Sequence, residues 1–178
     1  PDRFKKLNLK IKPWRNKGDH VLIVGQNLHD ASLFSIDFQI WLYNTVRHLM
    51  KHTDRKIIVR QKPNRDERTK RGQNLKDQLI KDKVHCLVAF TSIAAFEAIQ
   101  EGYPAITLGP NAASFLSEKE IKNIEKPYFA DDDKIREHSL YLTACQFSRT
   151  EFLNGSAVKM VEQLQHDQKY YRFKYEIK

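Results

Sequence analysis

The chain has little cysteine, no long apolar run and none of the glycine-rich phosphate signatures. Its two cysteines, Cys86 and Cys145, lie far apart in apolar segments. That usage is expected of buried free thiols in a reducing compartment, not of a disulfide framework. No apolar stretch approaches the roughly 20 residues that cross a bilayer, so no membrane partner is expected. The opening PDRFKKLNLK has no apolar centre of signal-peptide type. It also lacks an initiator Met, which leaves room for a segment upstream of Pro1. No Cys or His spacing matches a zinc site. His48 and His52 are placed to share a helix face, but no third ligand accompanies them, and no metal is expected. GxGxxG, Walker A and GxSxG are all missing. Their absence argues against a dinucleotide enzyme, a P-loop ATPase and an α/β-hydrolase.

What is present is an ordinary globular composition. Of 178 residues, 40% are hydrophobic and 30% charged. Such a length makes one domain with a core large enough to need no covalent staple. The net charge of +9 is unevenly spread. Residues 1–89 hold 20 Lys or Arg against 9 Asp or Glu, while residues 90–178 hold 11 against 13. A one-sided positive field favours an anionic partner: nucleic acid, a nucleotide diphosphate or an acidic polymer. A solvated basic face is the alternative.

Hydrophobic patterning predicts an α/β fold. Residues 1–19 read as a basic, irregular lead-in. His20 to Gly25 is a continuous apolar run ended by glycine, the mark of a strand buried on both faces. Ile36, Ile40, Tyr43, Val46 and Met50 recur at helical spacing and predict a helix from about Asp37 to Lys51. Lys56 to Arg60 reads as a second strand, Asn74 to Lys81 as a helix and Val84 to Phe90 as a third strand. A helix over Ile93 to Gln100, ended by Gly102, leads to a fourth strand over Pro104 to Gly109. This alternation predicts a Rossmann-like, mainly parallel sheet with helices on both faces. Two C-terminal helices are expected, about Lys134 to Cys145 and Ser148 to Gln165. The predicted domain runs over 20–165, followed by a basic, aromatic tail over 166–178.

Ligands of an open parallel sheet bind at the carboxyl ends of its strands. Four loops are expected there: the one after Gly25, Arg60 to Arg71, Thr91-Ser92, and Gly109 to Ser114. Thr91 and Ser92 offer hydroxyls beside the unpaired N–H groups and dipole of a helix start, a place suited to phosphate. Helix capping by Ser92 is the alternative. Glu97, in the same helix, is placed to accept hydrogen bonds from a ribose diol, or else is an amphipathic surface position. Arg60, Lys62, Arg65, Arg68, Lys70 and Arg71 form a basic cluster for a diphosphate or a nucleic-acid backbone, or simply a solvated loop. Aromatic residues are sparse there, so base stacking is not expected. Asp131-Asp132-Asp133 reads as a solvated helix start.

With these residues in view, VHCLVAFTSIAAFEAIQEGYPAITLG resembles the strand, Ser/Thr, helix-with-Glu, Gly-x-Pro, strand segment of GT-B and capsule-polysaccharide-type glycosyltransferases. KPWRNKGDHVLIVGQ, TSIAAFEAIQEGYP and LTACQFSRTEFLNGSAVKM resemble a family of bacteriophage-encoded glycosyltransferase-like proteins. Together these stretches cover most of residues 12–160. The resemblance implies a single nucleotide-sugar-binding lobe. Thr91 and Ser92 would meet phosphate and Glu97 the ribose, with the Gly25-Gln26 loop near the diphosphate. One departure is that capsule-type transferases carry a His-Pro pair where this chain has Lys62-Pro63. A cation survives there, but any imidazole role is lost.

A complete GT-B enzyme has two lobes, and this chain has room for one. The general base commonly comes from the other lobe; His29 and Asp30 are the only candidates here. The expectation is therefore a glycosyltransferase-type domain that binds a nucleotide sugar as donor, with no other cofactor. It would act on modified DNA or a glycan with help from a second lobe or subunit, in the cytoplasm of an infected bacterial host or associated with a virion. The alternative is a non-catalytic phage protein that binds nucleic acid or protein. A nucleotide-sugar epimerase is a third, weaker reading.

Overall fold

The computed structural model describes residues 11–15, 17–26, 35–61 and 74–163. The four apolar runs form strands: β1 His20–Val24, β2 Lys56–Arg60, β3 Val84–Ala89 and β4 Ala105–Thr107. They make one sheet in the order β2-β1-β3-β4. All three pairings are parallel. The helix α1, Phe38–Leu49, links β1 to β2; α2, Leu75–Lys81, links β2 to β3; α3, Ala94–Gln100, links β3 to β4. Asp37 caps α1, its side chain accepting from the N–H groups of Gln39 and Ile40. Asn74 caps α2 in the same way through Lys76.

Strand side chains alternate between faces, and two apolar clusters follow from that. Leu22, Val24, Leu87 and Ala89 pack under α2 and α3, against Leu75, Leu79, Ala95, Ala98 and Ile99. Val21, Ile23, Cys86 and Val88 pack under α1, against Leu49 and the flanking Trp41, Leu42 and Val46. Helices therefore cover both faces, as the alternation predicts. β4 is shorter than expected, although the Leu108 N–H still donates to Ala89 O at 2.9 Å. The segment at Glu118 runs beside it, exchanging hydrogen bonds with Ala105 and Thr107.

Several expectations need correction. The spacing of Ile36, Ile40, Tyr43, Val46 and Met50 marked the helix, but it does not mark the buried face: Ile40, Tyr43 and Met50 are 59%, 61% and 69% exposed. The buried stripe is Phe38, Thr45 and Leu49, with Trp41 and Leu42 beside it. The two patterns share a period and differ in phase. The helix expected over Ser148 to Gln165 is interrupted. The short α5, Arg149–Leu153, ends at Asn154-Gly155, where Gly155 takes φ +75°, and helix resumes over 156–163. The preceding α4, Asp132–Ala144, is capped by Asp131 as the acidic run suggested. Cys86 is buried, but Cys145 is exposed at the end of α4; both are free thiols.

The described part of the lead-in is irregular but docked. Trp14 Nε1 donates to Ala130 O at 2.9 Å, and the Arg15 N–H to Gly102 O at 2.7 Å. The expected tail over 166–178 lies outside the described residues. Among the described residues no helix is long and apolar enough to cross a membrane.

Candidate functional site

The strand order creates the site. From β1 the chain crosses to β2 on one side, and from β3 to β4 on the other. The winding reverses between β1 and β3, which opens a crevice at their carboxyl ends. Register sets Val24 level with both Arg60 and Ala89. Gly25, Gln61 and Phe90 follow as the next row along the rim.

A cavity of about 280 Å³ lies at this crevice. Its lining includes Gly25, Gln26, Arg60, Thr91, Ser92 and Glu97. These six candidates come from the ends of three strands and from α3. Lys62, Arg65, Arg68, Lys70 and Arg71 lie outside the described residues, as do His29 and Asp30.

Gly25 is where β1 closes on β2. Its N–H donates to Arg60 O at 2.8 Å, and a Cβ would sit 3.2 Å from that oxygen. The Gln26 amide donates to Thr91 Oγ1, so the loops after β1 and β3 are tied together. Gln26 Oε1 is buried and has no partner among the described residues. Arg60 donates to Gln78 Oε1 of α2, which fixes its guanidinium at the rim. Glu97 is an exposed residue in the first turn of α3.

The turn after β3 differs from the helix-capping expectation. Ile93 is the N-cap residue and makes no side-chain cap bond. Ser92 Oγ accepts from the Ala94 N–H only at 3.4 Å. The N–H groups of Ala95, Phe96 and Glu97 are taken by Ser92 O and Ile93 O. With those groups engaged and α3 only 7 residues long, the helix itself is a weak anion cradle. The donors left over belong to the turn. Among the described residues, the N–H groups of Thr91, Ser92 and Ile93 carry no hydrogen bond.

Asn111, which the sequence reading passed over, fixes that turn. Its Nδ2 donates to Phe90 O and Ser92 O, both at 3.0 Å. Its Oδ1 accepts from the Ala113 N–H at 2.9 Å. One amide thereby secures the carbonyls of the turn. Gly109 permits the approach, because a Cβ there would lie 2.4 Å from the Phe90 ring. The sequence signal was faint: an Asn after Gly-Pro at a strand end reads as an ordinary turn residue.

Chemically, the crevice offers a guanidinium, two hydroxyls, a short strip of N–H groups, an amide and a carboxylate. Cations and N–H donors suit phosphate oxygens, and a carboxylate accepts from vicinal hydroxyls. Among the described residues no group of three His, Cys, Asp or Glu is placed to hold a metal; the His48 and His52 rings are 5.1 Å apart with no third ligand. No protein-family model, curated protein or solved structure matches this chain. The site is therefore read from its own geometry.

Proposed function

We infer that this crevice binds a nucleotide sugar, and that the chain is a glycosyltransferase-type domain. The observation that supports the reading is the convergence of Gln26, Arg60, Thr91, Ser92 and Glu97 on one cavity at the switch point of a parallel sheet. In this reading Arg60, the Ser92 hydroxyl and the N–H groups of the 91–93 turn take the phosphates. Glu97 accepts from the ribose hydroxyls, and Gln26 orients Thr91.

The cavity is small beside the roughly 300–1,000 Å³ of ordinary ligand sites. It suits the phosphate and ribose portion of such a donor. The sugar and its acceptor, modified DNA or a glycan, then need a further surface from a second lobe or subunit. Charge developing on the departing diphosphate would be met by Arg60 and the turn, an electrostatic form of catalysis.

Thermal unfolding with UDP, GDP, CMP and their sugars tests the reading. A ligand at about 100 times its Kd stabilises by about 2.7 kcal/mol. For a chain of this size each kcal/mol moves Tm by about 2–4 °C. One nucleotide family is expected to raise Tm, and Ser92→Ala and Glu97→Ala to abolish the rise. Both positions are solvent-accessible, so neither change opens a core cavity. If no nucleotide shifts Tm, or the shift survives both substitutions, the assignment is wrong.

A further inference from the structure

The opposite end of the sheet holds a larger cleft, about 640 Å³, at the amino ends of β1 and β3. Its charged lining is Arg15, Lys17, Arg55 and Lys83 against the single carboxylate Asp19. We propose that this cleft is a second anion site, which takes the phosphodiester backbone of nucleic acid without reading its sequence. The proposal stands apart from the nucleotide-sugar reading and uses none of its residues.

Its cations are held in place by identifiable contacts. Arg55 is neutralised by Glu125, which accepts from Nε at 3.1 Å and from Nη2 at 2.8 Å, and its Nη1 donates to Gly18 O, so it shapes the cleft wall. That guanidinium is fixed between the lead-in and the segment after β4. Arg15 lies over the Tyr103 ring, 5.1 Å from its centroid. Among the described residues neither Arg15 nor Lys17 has a carboxylate in ion-pair range. Lys83 is exposed and sits 3.5 Å from Asp19.

The backbone at this end is unusual. Lys83 takes φ +44°, a conformation that costs a side-chain-bearing residue about 1–2 kcal/mol. Glycine would relax it, whereas lysine places an ammonium on the cleft wall. Beside it the β1–β3 register slips. His20 pairs with Val84 and Val21 with Cys86, leaving His85 as a bulge. Bulges re-aim side chains and cluster near functional sites.

The chemistry favours a backbone over bases. Tyr103 is only 3% exposed, so its ring gives no free face for a base to stack on. What remains are Arg15, Lys17 and Lys83, cations on two chain segments around an open cleft, the pattern of phosphate contact rather than base readout.

The test is fluorescence anisotropy of the full chain with labelled mixed-sequence oligonucleotides, single-stranded and duplex, across a salt series. Inorganic pyrophosphate serves as competitor. Wild type is expected to bind with a steep salt dependence. Lys17→Glu should weaken binding to every sequence alike and reduce the log–log salt slope by about 1. Lys83→Gly should also weaken binding while raising Tm, because it removes a cation and relieves backbone strain together. Opposite movement of stability and affinity separates a lost contact from a damaged fold. Three results overturn the proposal: no oligonucleotide binding at low salt, unchanged affinity in both variants, or binding of pyrophosphate alone.

Discussion

At the residue scale, His85 shows how one buried side chain gives the fold a pH dependence. It is 3% exposed, and its Nε2 lies 2.8 Å from Ile124 O. That oxygen can only accept, so Nε2 carries the proton in the neutral ring. Burial pushes the imidazole below its ordinary value of 6.5; the Ile124 carbonyl opposes the shift and Arg55 adds to it. The unfolded chain then binds the proton more readily than the folded one. The His85 contribution is complete above about pH 6.5 and is lost as pH falls through that value toward the lower folded pKa. Urea unfolding from about pH 7.5 down to pH 5 should show stability falling, with a shallower fall in His85→Gln. Equal slopes in the two proteins would remove His85 as the cause. Asn111 teaches a related lesson about what a sequence conceals. Thr91, Ser92 and Glu97 were legible as candidates because hydroxyls and a carboxylate follow an apolar strand. The amide that fixes their turn arrives from the loop after β4, 19 residues beyond Ser92, and no local pattern announces a contact at that distance.

At the element scale, apolar runs and capping residues located the strands and helices well. Strands buried on both faces leave a continuous apolar signature, and Asp37, Asn74 and Asp131 mark helix starts in plain sight. Phase was harder to read. In FQIWLYNTVRHLM apolar side chains fall on several sides of the helix, so more than one stripe fits a period of 3.6 residues. The sheet decides between them. Trp41 stacks on Phe38 at 5.2 Å and meets Phe90 edge-on at 5.9 Å, which turns Leu49 inward and Met50 outward. Leu49→Ala should therefore cost about 2–5 kcal/mol in chemical denaturation. The adjacent Met50→Gln should stay within about 0.5 kcal/mol. A large loss at Met50 would restore the stripe that the sequence pattern suggested. The break at Asn154-Gly155 was legible in principle, since Asn-Gly is a turn dipeptide. Helical spacing on either side masked it.

At the scale of the whole molecule, the parallel sheet sorts chemistry by end. Carboxyl ends of the strands collect an amide, hydroxyls, Arg60 and Glu97 around the switch point, while the amino ends collect Arg15, Lys17, Arg55 and Lys83. The two cavities share no lining residue. Between them β1 and β3 run through residues that are nearly all fully buried and close-packed. Sites separated in this way, with no common partner, are expected to act additively within about 0.3–0.5 kcal/mol. Lys17→Glu should leave any nucleotide-induced Tm shift intact, and Ser92→Ala should leave oligonucleotide affinity intact. The double variant should show the sum of the single losses in each assay. Coupling above about 1 kcal/mol would mean that one extended ligand reaches both ends, or that β3 moves as a lever between them. The long-range field is the one shared term. Because it is screened within about 10 Å at 0.1 M salt, any coupling that disappears on raising ionic strength belongs to net charge, whereas coupling that persists belongs to the packed strands.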